Sequence, residues 1–198
     1  MNLPNRITIF RLFLAFTILV LLVFPWYQVG IEWKSFLVFD KITVNLVYII
    51  AGILFLIASI TDFLDGYIAR SRNMVTDFGK VMDAIADKVL VNGLLIILAY
   101  HGFISLIIPV VIISRDIIVD SIKMAAGNTG KVIGASKIAK IKTICVLSGI
   151  TLLLFYNLPF ELVGINVADI LIIIGTILSI ISGCQYYLVN KEAFASQK

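Results

Sequence analysis

Charge, cysteine and histidine are all scarce in this chain of 198 residues. Charged side chains make up 14% of it and hydrophobic ones 61%, where a soluble domain sits nearer a quarter and a half. The two cysteines, Cys145 and Cys184, fall in separate apolar runs. That excludes a disulfide framework and a metal-spaced pair, and small buried residues are the plain reading of both. The one histidine, His101, falls in a short predicted outer turn and reads as inert. No internal repeat, Gly/Ser linker or low-complexity tail divides the chain. The opening, MNLPNRITIFRLFLAFTILVLLVF, is interrupted by Arg11 and followed by no Ala-x-Ala-like cleavage site, so it reads as a retained first membrane helix rather than a signal peptide.

What fills the chain instead is apolar sequence, with a mean hydropathy of +1.07. Several runs approach or reach the roughly 20 residues a membrane helix needs. The predicted fold is all-α: a polytopic membrane protein, one integral domain over 1–198, with spans at about 7–27, 44–62, 81–99, 104–119, 138–155 and 167–188. The second span has room to continue to residue 69. A loop is expected over 30–43, a tight turn over 100–103, a basic loop from Lys123 to Lys142, and a break at Asn157-Leu158-Pro159. With the N-terminus inside, Lys34 and Lys41 fall outside and every other lysine and arginine falls inside. Such a positive-inside bias sets six spans, N-in and C-in, and an odd number would spoil it. The formal net charge of +4 then belongs beside anionic lipid headgroups, not nucleic acid.

Against that background, DFLDGYIARSRNMVTDFGKVMDAIAD, residues 62–87, holds four carboxylates at the edges of apolar runs. Asp62 and Asp65 are three apart, and Asp83 and Asp87 four apart, so each pair shares a helix face. If spans two and three are antiparallel neighbours, all four carboxylates meet. Clustered anions beside lipid are costly unless protonated, paired or metal-bound. Arg70, Arg72, Lys80 and Lys88 offer pairing. Mg²⁺ or Mn²⁺ offers the other answer, since Asp supplies hard oxygen ligands, and four carboxylates suffice for two ions that clamp a transferring phosphoryl group. Gly66, Ala69 and Gly79 leave room for a ligand, and Arg70 can pair with a phosphate. Solvated helix-end charge is the bland alternative, and a divalent-cation transporter the functional one. The cores of the first, fourth, fifth and sixth spans carry almost no ionisable residue to continue an ion path, which favours a catalytic site at the membrane edge.

Asp62, Asp65, Gly66, Ala69 and Arg70, then eight residues, then Gly79, Asp83 and Asp87, resemble without departure the signature of the CDP-alcohol phosphatidyltransferases. The six-span layout also matches, so the resemblance covers nearly the whole chain. It implies a membrane-embedded homodimer, open to the cytoplasm, that moves a phosphatidyl group from a CDP-linked donor to an alcohol and releases CMP. Under it, Asp62, Asp65 and Asp83, with Asp87 near them, bind the divalent ions, and Asp87 matches the general base. Gly66, Ala69 and Arg70 match the nucleotide and pyrophosphate pocket, with Gly79 beside them.

Secondary motifs narrow the acceptor. The opening from Leu3 to Arg11, the run Ser114-Arg115-Asp116 (with Asp where the pattern has Glu), and Gly134-x-Ser136-Lys137-x-x-Lys140-x-Lys142-Thr143 are similar to the bacterial branch whose acceptor is glycerol 3-phosphate. The implied substrates are CDP-diacylglycerol and sn-glycerol 3-phosphate. Arg115 and Lys137 are the candidates for the acceptor's phosphate; the alternatives are a salt bridge from Arg115 to Asp116 and a Lys137 facing lipid. Lys131, Lys140 and Lys142 read as surface charges. Asn5 either caps the first helix or lines the donor pocket, and Arg11 either snorkels to headgroups or lines the site. A cardiolipin-forming member of the family is the nearest competitor, and a serine-using one is less supported.

Overall fold

Apolar runs punctuated by proline, asparagine and glycine fold into six α-helices and one short hairpin in the computed structural model, which describes residues 3–71, 77–128 and 137–195, with side chains at 5–62, 64, 66, 79, 81–124 and 137–189. The helices are α1 (Leu3–Val23), α2 (Leu46–Ser71), α3 (Asp77–Tyr100), α4 (Ile107–Asn128), α5 (Lys137–Leu154) and α6 (Val167–Ala195). Pro4 sits in the first turn of α1, where its missing N–H costs nothing. Pro25 follows the last turn, and the Trp26 indole donates to the Leu21 carbonyl at 2.8 Å, satisfying one of the orphan acceptors there. Asn45 caps α2: its Oδ1 accepts from the Val47 N–H at 3.0 Å, the usual service of an N-cap side chain.

The loop expected over 30–43 is corrected in part. Strands β1 (Ser35–Val38) and β2 (Ile42–Asn45) pair antiparallel, with Ser35 opposite Asn45 and Val38 opposite Ile42. Phe39 and Asp40 take positive φ of 52° and 53° to turn the chain. The β-branched run Ile42-Thr43-Val44 favours a strand, but its four charged neighbours made the segment read as loop.

Asn157 does more than break the chain. Its amide nitrogen donates to Glu161 at 2.9 Å and to the Ile165 carbonyl at 2.8 Å, and its Oδ1 accepts from the Ala168 N–H at 3.1 Å. One buried side chain thus closes the turn after α5 and caps the start of α6.

The extensive helix contacts among the described residues are α5 with α6, α1 with α2, α4 with α6 and α1 with α3. Direct packing of α2 on α3 is not among them. Among the described residues, spans two and three, expected as direct antiparallel neighbours, are joined chiefly through α1, which packs on both. Its Ala15 and Ile18 are fully buried, beside Ala51, Phe55 and Ala58 of α2 and Leu94 and Leu98 of α3. The reason lies in α1 itself, whose apolar residues run all round and can bury two faces at once.

Helices α5 and α6 meet through glycines. A Cβ on Gly175 would lie 2.7 Å from Val146 Cγ2 and 3.4 Å from its backbone nitrogen. Valine is stiff at χ1 in a helix, so Val146 cannot swing aside. Gly175→Ala is expected to cost about 1–3 kcal/mol by overpacking, read as a lower melting temperature of the detergent-solubilised protein. An unchanged melting temperature would mean that α5 and α6 pack less closely than this.

Two of the described helices are apolar over a membrane-crossing length, Asn5–Val23 and Val167–Val189, with a shorter apolar stretch at Leu46–Asp62. Six such spans were expected from the sequence. The physical reason for the difference is that α3, α4 and α5 carry their charges within the helix: Asp83, Asp87 and Lys88; Arg115, Asp116, Asp120 and Lys123; Lys137, Lys140 and Lys142. Large apolar side chains nevertheless point outward along the bundle, among them Phe13, Phe16, Ile96, Val110, Ile144 and Ile177.

Candidate active site

Arg11 organises the polar end of the bundle. It is 1% exposed, although it lies within an apolar helix, and Thr8, one turn earlier, is buried with it. Its guanidinium pairs with Asp62 of α2 through one terminal nitrogen and with Asp83 of α3 through the other. The two carboxylates are 45% and 50% exposed, so one face of each remains open to solvent. Because α1 packs on both helices, its Arg11 draws together acids that do not share a helix. Of the two sequence alternatives for Arg11, outward snorkelling is excluded by its burial.

The four-carboxylate cluster is described in part. Asp62 and Asp83 converge as above. Asp87 follows Asp83 by one turn of α3 and is exposed. The backbone of Asp65 follows Asp62 by one turn of α2, while its side chain, with those of Ala69 and Arg70, lies outside the described residues. Gly66 and Gly79 lie on α2 and near the start of α3, and Asn5 is half-buried on α1. Among the described residues no group of three or more acids, histidines or cysteines is set to hold a metal.

Asp87 also borders a cavity of about 440 Å³, lined with Lys88, Arg115, Asp116, Lys142 and Tyr186 among others. Helix α4 supplies its centre. Arg115 donates from Nη1 to Asp116 at 2.8 Å, from Nε to the Ser179 carbonyl at 3.0 Å, and from Nη2 to the Ser182 hydroxyl at 2.6 Å. The salt bridge weighed against a phosphate role for Arg115 is thus formed, and Arg115 lines the cavity as well. Lys88 of α3 pairs with Asp120 of α4, and Lys123 lies 5.5 Å from the Tyr186 ring centroid. Lys137 is exposed at the first position of α5; it is not a lining residue of this cavity.

The surface role read for Lys142 is corrected. It is 8% exposed, and its ammonium donates to both carboxylate oxygens of Asp116, at 2.9 and 3.1 Å. Lys140 is exposed, and Lys131 lies outside the described residues. The missed signal was periodicity: Lys140 and Lys142 are two apart, so on a helix they cannot share a face.

The opposite end is aromatic. Tyr48 packs edge-on to His101 at 5.8 Å and to Tyr156 at 5.7 Å, and Trp26 stacks edge-on to Trp33 at 5.7 Å. His101 sits in the predicted turn, where partial burial holds its pKa below the ordinary value.

Carboxylates from two helices converge on one charge, with a mixed-charge cavity beside them. Comparison with known proteins agrees with the signature residues. The profile of the CDP-alcohol phosphatidyltransferases matches residues 1–181. Three relatives carry the name CDP-diacylglycerol–glycerol-3-phosphate 3-phosphatidyltransferase. The one from Bacillus subtilis is 38% identical over 192 residues, 97% of this chain and 96% of the relative. The one from Rickettsia bellii is 31% identical over 98% of this chain and 97% of its own. The one from Mycoplasma genitalium is 36% identical over 75% of this chain and 63% of its own. With the signature intact and the match running almost end to end, the chain belongs to the CDP-alcohol phosphatidyltransferase family.

Proposed function

We propose that the chain transfers the phosphatidyl group of CDP-diacylglycerol to sn-glycerol 3-phosphate, giving phosphatidylglycerol phosphate and CMP. The observation that carries this reading is the adjacency of two environments on α3: Asp83 in the carboxylate group, and Asp87, one turn on, at the rim of the Arg115–Lys142 cavity. A donor phosphate and an acceptor phosphate need separate cationic settings on either side of one base. The names of the relatives, matched over nearly the whole chain, agree.

A divalent-metal requirement fits the residues present. The Arg11 guanidinium stands where Asp62 and Asp83 converge on positive charge, and carboxylate oxygens are the donors that Mg²⁺ and Mn²⁺ prefer. Asp62, Asp65, Asp83 and Asp87 would hold two such ions, which neutralise pyrophosphate oxygens and ease departure of CMP. The protein's own groups do the rest. Asp87 accepts the proton of the acceptor hydroxyl as its oxygen bonds to the lipid-side phosphorus. The bond from that phosphorus to the CMP oxygen breaks, and CMP leaves with the electron pair. On this reading Asn5, Gly66, Ala69, Arg70 and Gly79 serve the donor, Arg115 binds the acceptor's phosphate in the cavity, and Lys137, outside the cavity lining, meets that phosphate on its way in.

The same reading makes residues 1–198 one multi-pass membrane domain with six spans, N-in and C-in, acting as a homodimer on lipid substrates with its site facing the cytoplasm. Its support is the separation of ends: ion pairs gather at one, and aromatic rings of the interfacial type at the other.

The test is CMP release by purified protein in mixed micelles with CDP-diacylglycerol and Mg²⁺ or Mn²⁺, each acceptor supplied separately. Turnover with glycerol 3-phosphate, abolished by chelation, is expected. Turnover with phosphatidylglycerol or serine alone would keep the chemistry and overturn the acceptor. No turnover with any acceptor, from folded protein that carries Mn²⁺ into proteoliposomes, would overturn both.

A further inference from the structure

We propose that Asp116 is a positioning residue for the acceptor: it aims the buried ammonium of Lys142 at the acceptor's phosphate. This rests on the transfer reaction proposed above and adds to it a residue on α4 that touches neither donor nor acceptor.

The cavity beside Asp87 is lined by five cationic side chains (Lys88, Arg115, Lys123, Lys140, Lys142) and three carboxylates (Asp87, Asp116, Asp120), a surplus of two positive charges. Its volume of about 440 Å³ suits a small anion. Two of these cations meet on one acid. Asp116 Oδ1 accepts from Arg115 at 2.8 Å and from Lys142 at 2.9 Å, and Oδ2 accepts from Lys142 at 3.1 Å. Two cations on one carboxylate leave a net positive charge at the wall.

The three members are held unequally. Arg115 is pinned from behind by α6, through the Ser179 carbonyl and the Ser182 hydroxyl. Gly183 permits that approach, since a Cβ there would lie 3.0 Å from Arg115 Cγ. Among the described residues Lys142 has no such backing; its ammonium donates to the two oxygens of Asp116. An ammonium has three donors, so holding Lys142 by two leaves the third to a ligand. A lysine this buried is rare unless paired, and burial strengthens its pull on an incoming phosphate. Asp116 therefore sets where Lys142 points, while Arg115, tied to α6, sets where Asp116 sits.

A purely structural triad would pin α4 to α5 and affect both substrates alike, which gives the test. KM for glycerol 3-phosphate and for CDP-diacylglycerol is measured for the parent, Asp116→Asn, Asp116→Glu and the double variant Asp116→Asn with Lys142→Gln. Asp116→Asn is expected to raise KM for glycerol 3-phosphate about tenfold, the scale of one charged hydrogen bond, with KM for CDP-diacylglycerol within about twofold. Asp116→Glu should recover most of the loss. The double variant removes the stranded lysine charge and leaves Arg115 tied to the Ser179 carbonyl and the Ser182 hydroxyl, so it is the milder lesion should Asp116→Asn fail to fold, and it should keep the raised KM. Equal rises in both KM values, no rise in the folded double variant, or a Glu variant no better than Asn would overturn the positioning role alone. A parent that turns over another alcohol and not glycerol 3-phosphate would overturn the transfer reading and this proposal with it.

Discussion

Asp87→Asn lowers the rate of CMP release by about 10²–10⁴-fold at saturating metal and substrates, the usual contribution of a positioned general base. The substitution keeps the shape of the side chain and removes its basicity. Asp87 is exposed on α3 at the rim of the cavity, and no ion pair of the described structure depends on it, so the melting temperature should stay close to that of the parent. A folded Asp87→Asn variant retaining more than a tenth of the parent rate would remove Asp87 from the base role. Replacement of Lys137, exposed at the start of α5, makes a useful contrast: a loss of similar size there would point to the acceptor's phosphate, not to the proton.

Arg11→Met has the second large effect, and it acts on stability before activity. The substitution removes a cation that is 1% exposed and leaves Asp62 and Asp83 facing each other. Breaking a fully buried pair costs about 3–5 kcal/mol. Here the lower end is expected, because the two carboxylates are 45% and 50% exposed and water takes part of the load. The loss should be largest in chelator and partly recovered on adding Mn²⁺, which supplies the missing positive charge to the same carboxylates. Arg11→Lys keeps the charge but not the two-pronged geometry and should fall between. Melting curves of the three proteins, with and without Mn²⁺, check this. If Arg11→Met melts with the parent in chelator, the bridge across α1, α2 and α3 contributes nothing.

Much of this site was legible in the residues alone. The spacing of Asp62, Asp65, Asp83 and Asp87 places each pair on one helix face whatever the rest of the fold does, because a helix repeats every 3.6 residues. The interleaved Gly66 and Gly79 and the signature as a whole carried the family. Arg115 was picked out, and so was its alternative partner Asp116, because neighbours in sequence are neighbours in space. What failed were inferences that needed to know which helices touch. Asp62 and Asp83 meet through Arg11 of α1, a partner on a third helix that the spacing of the acids does not name. Lys142 looked like one more basic surface residue until the fold brought Asp116 of α4 within its reach.

The sequence by itself determined the all-α architecture, the family and the identity of the chemical groups. Apolar run length, helical spacing and residue chemistry are local properties, written in stretches of some twenty residues. Tertiary structure alone decided which charges are buried and which partner each one takes. A lysine or arginine in an apolar helix is equally well written for solvent or for an ion pair; the choice depends on whether another helix presents a carboxylate within reach, and the helices that do so here are separated by long stretches of chain. For Arg11 and Lys142, that choice turned two apparently peripheral charges into the centres of the carboxylate group and of the cavity beside it.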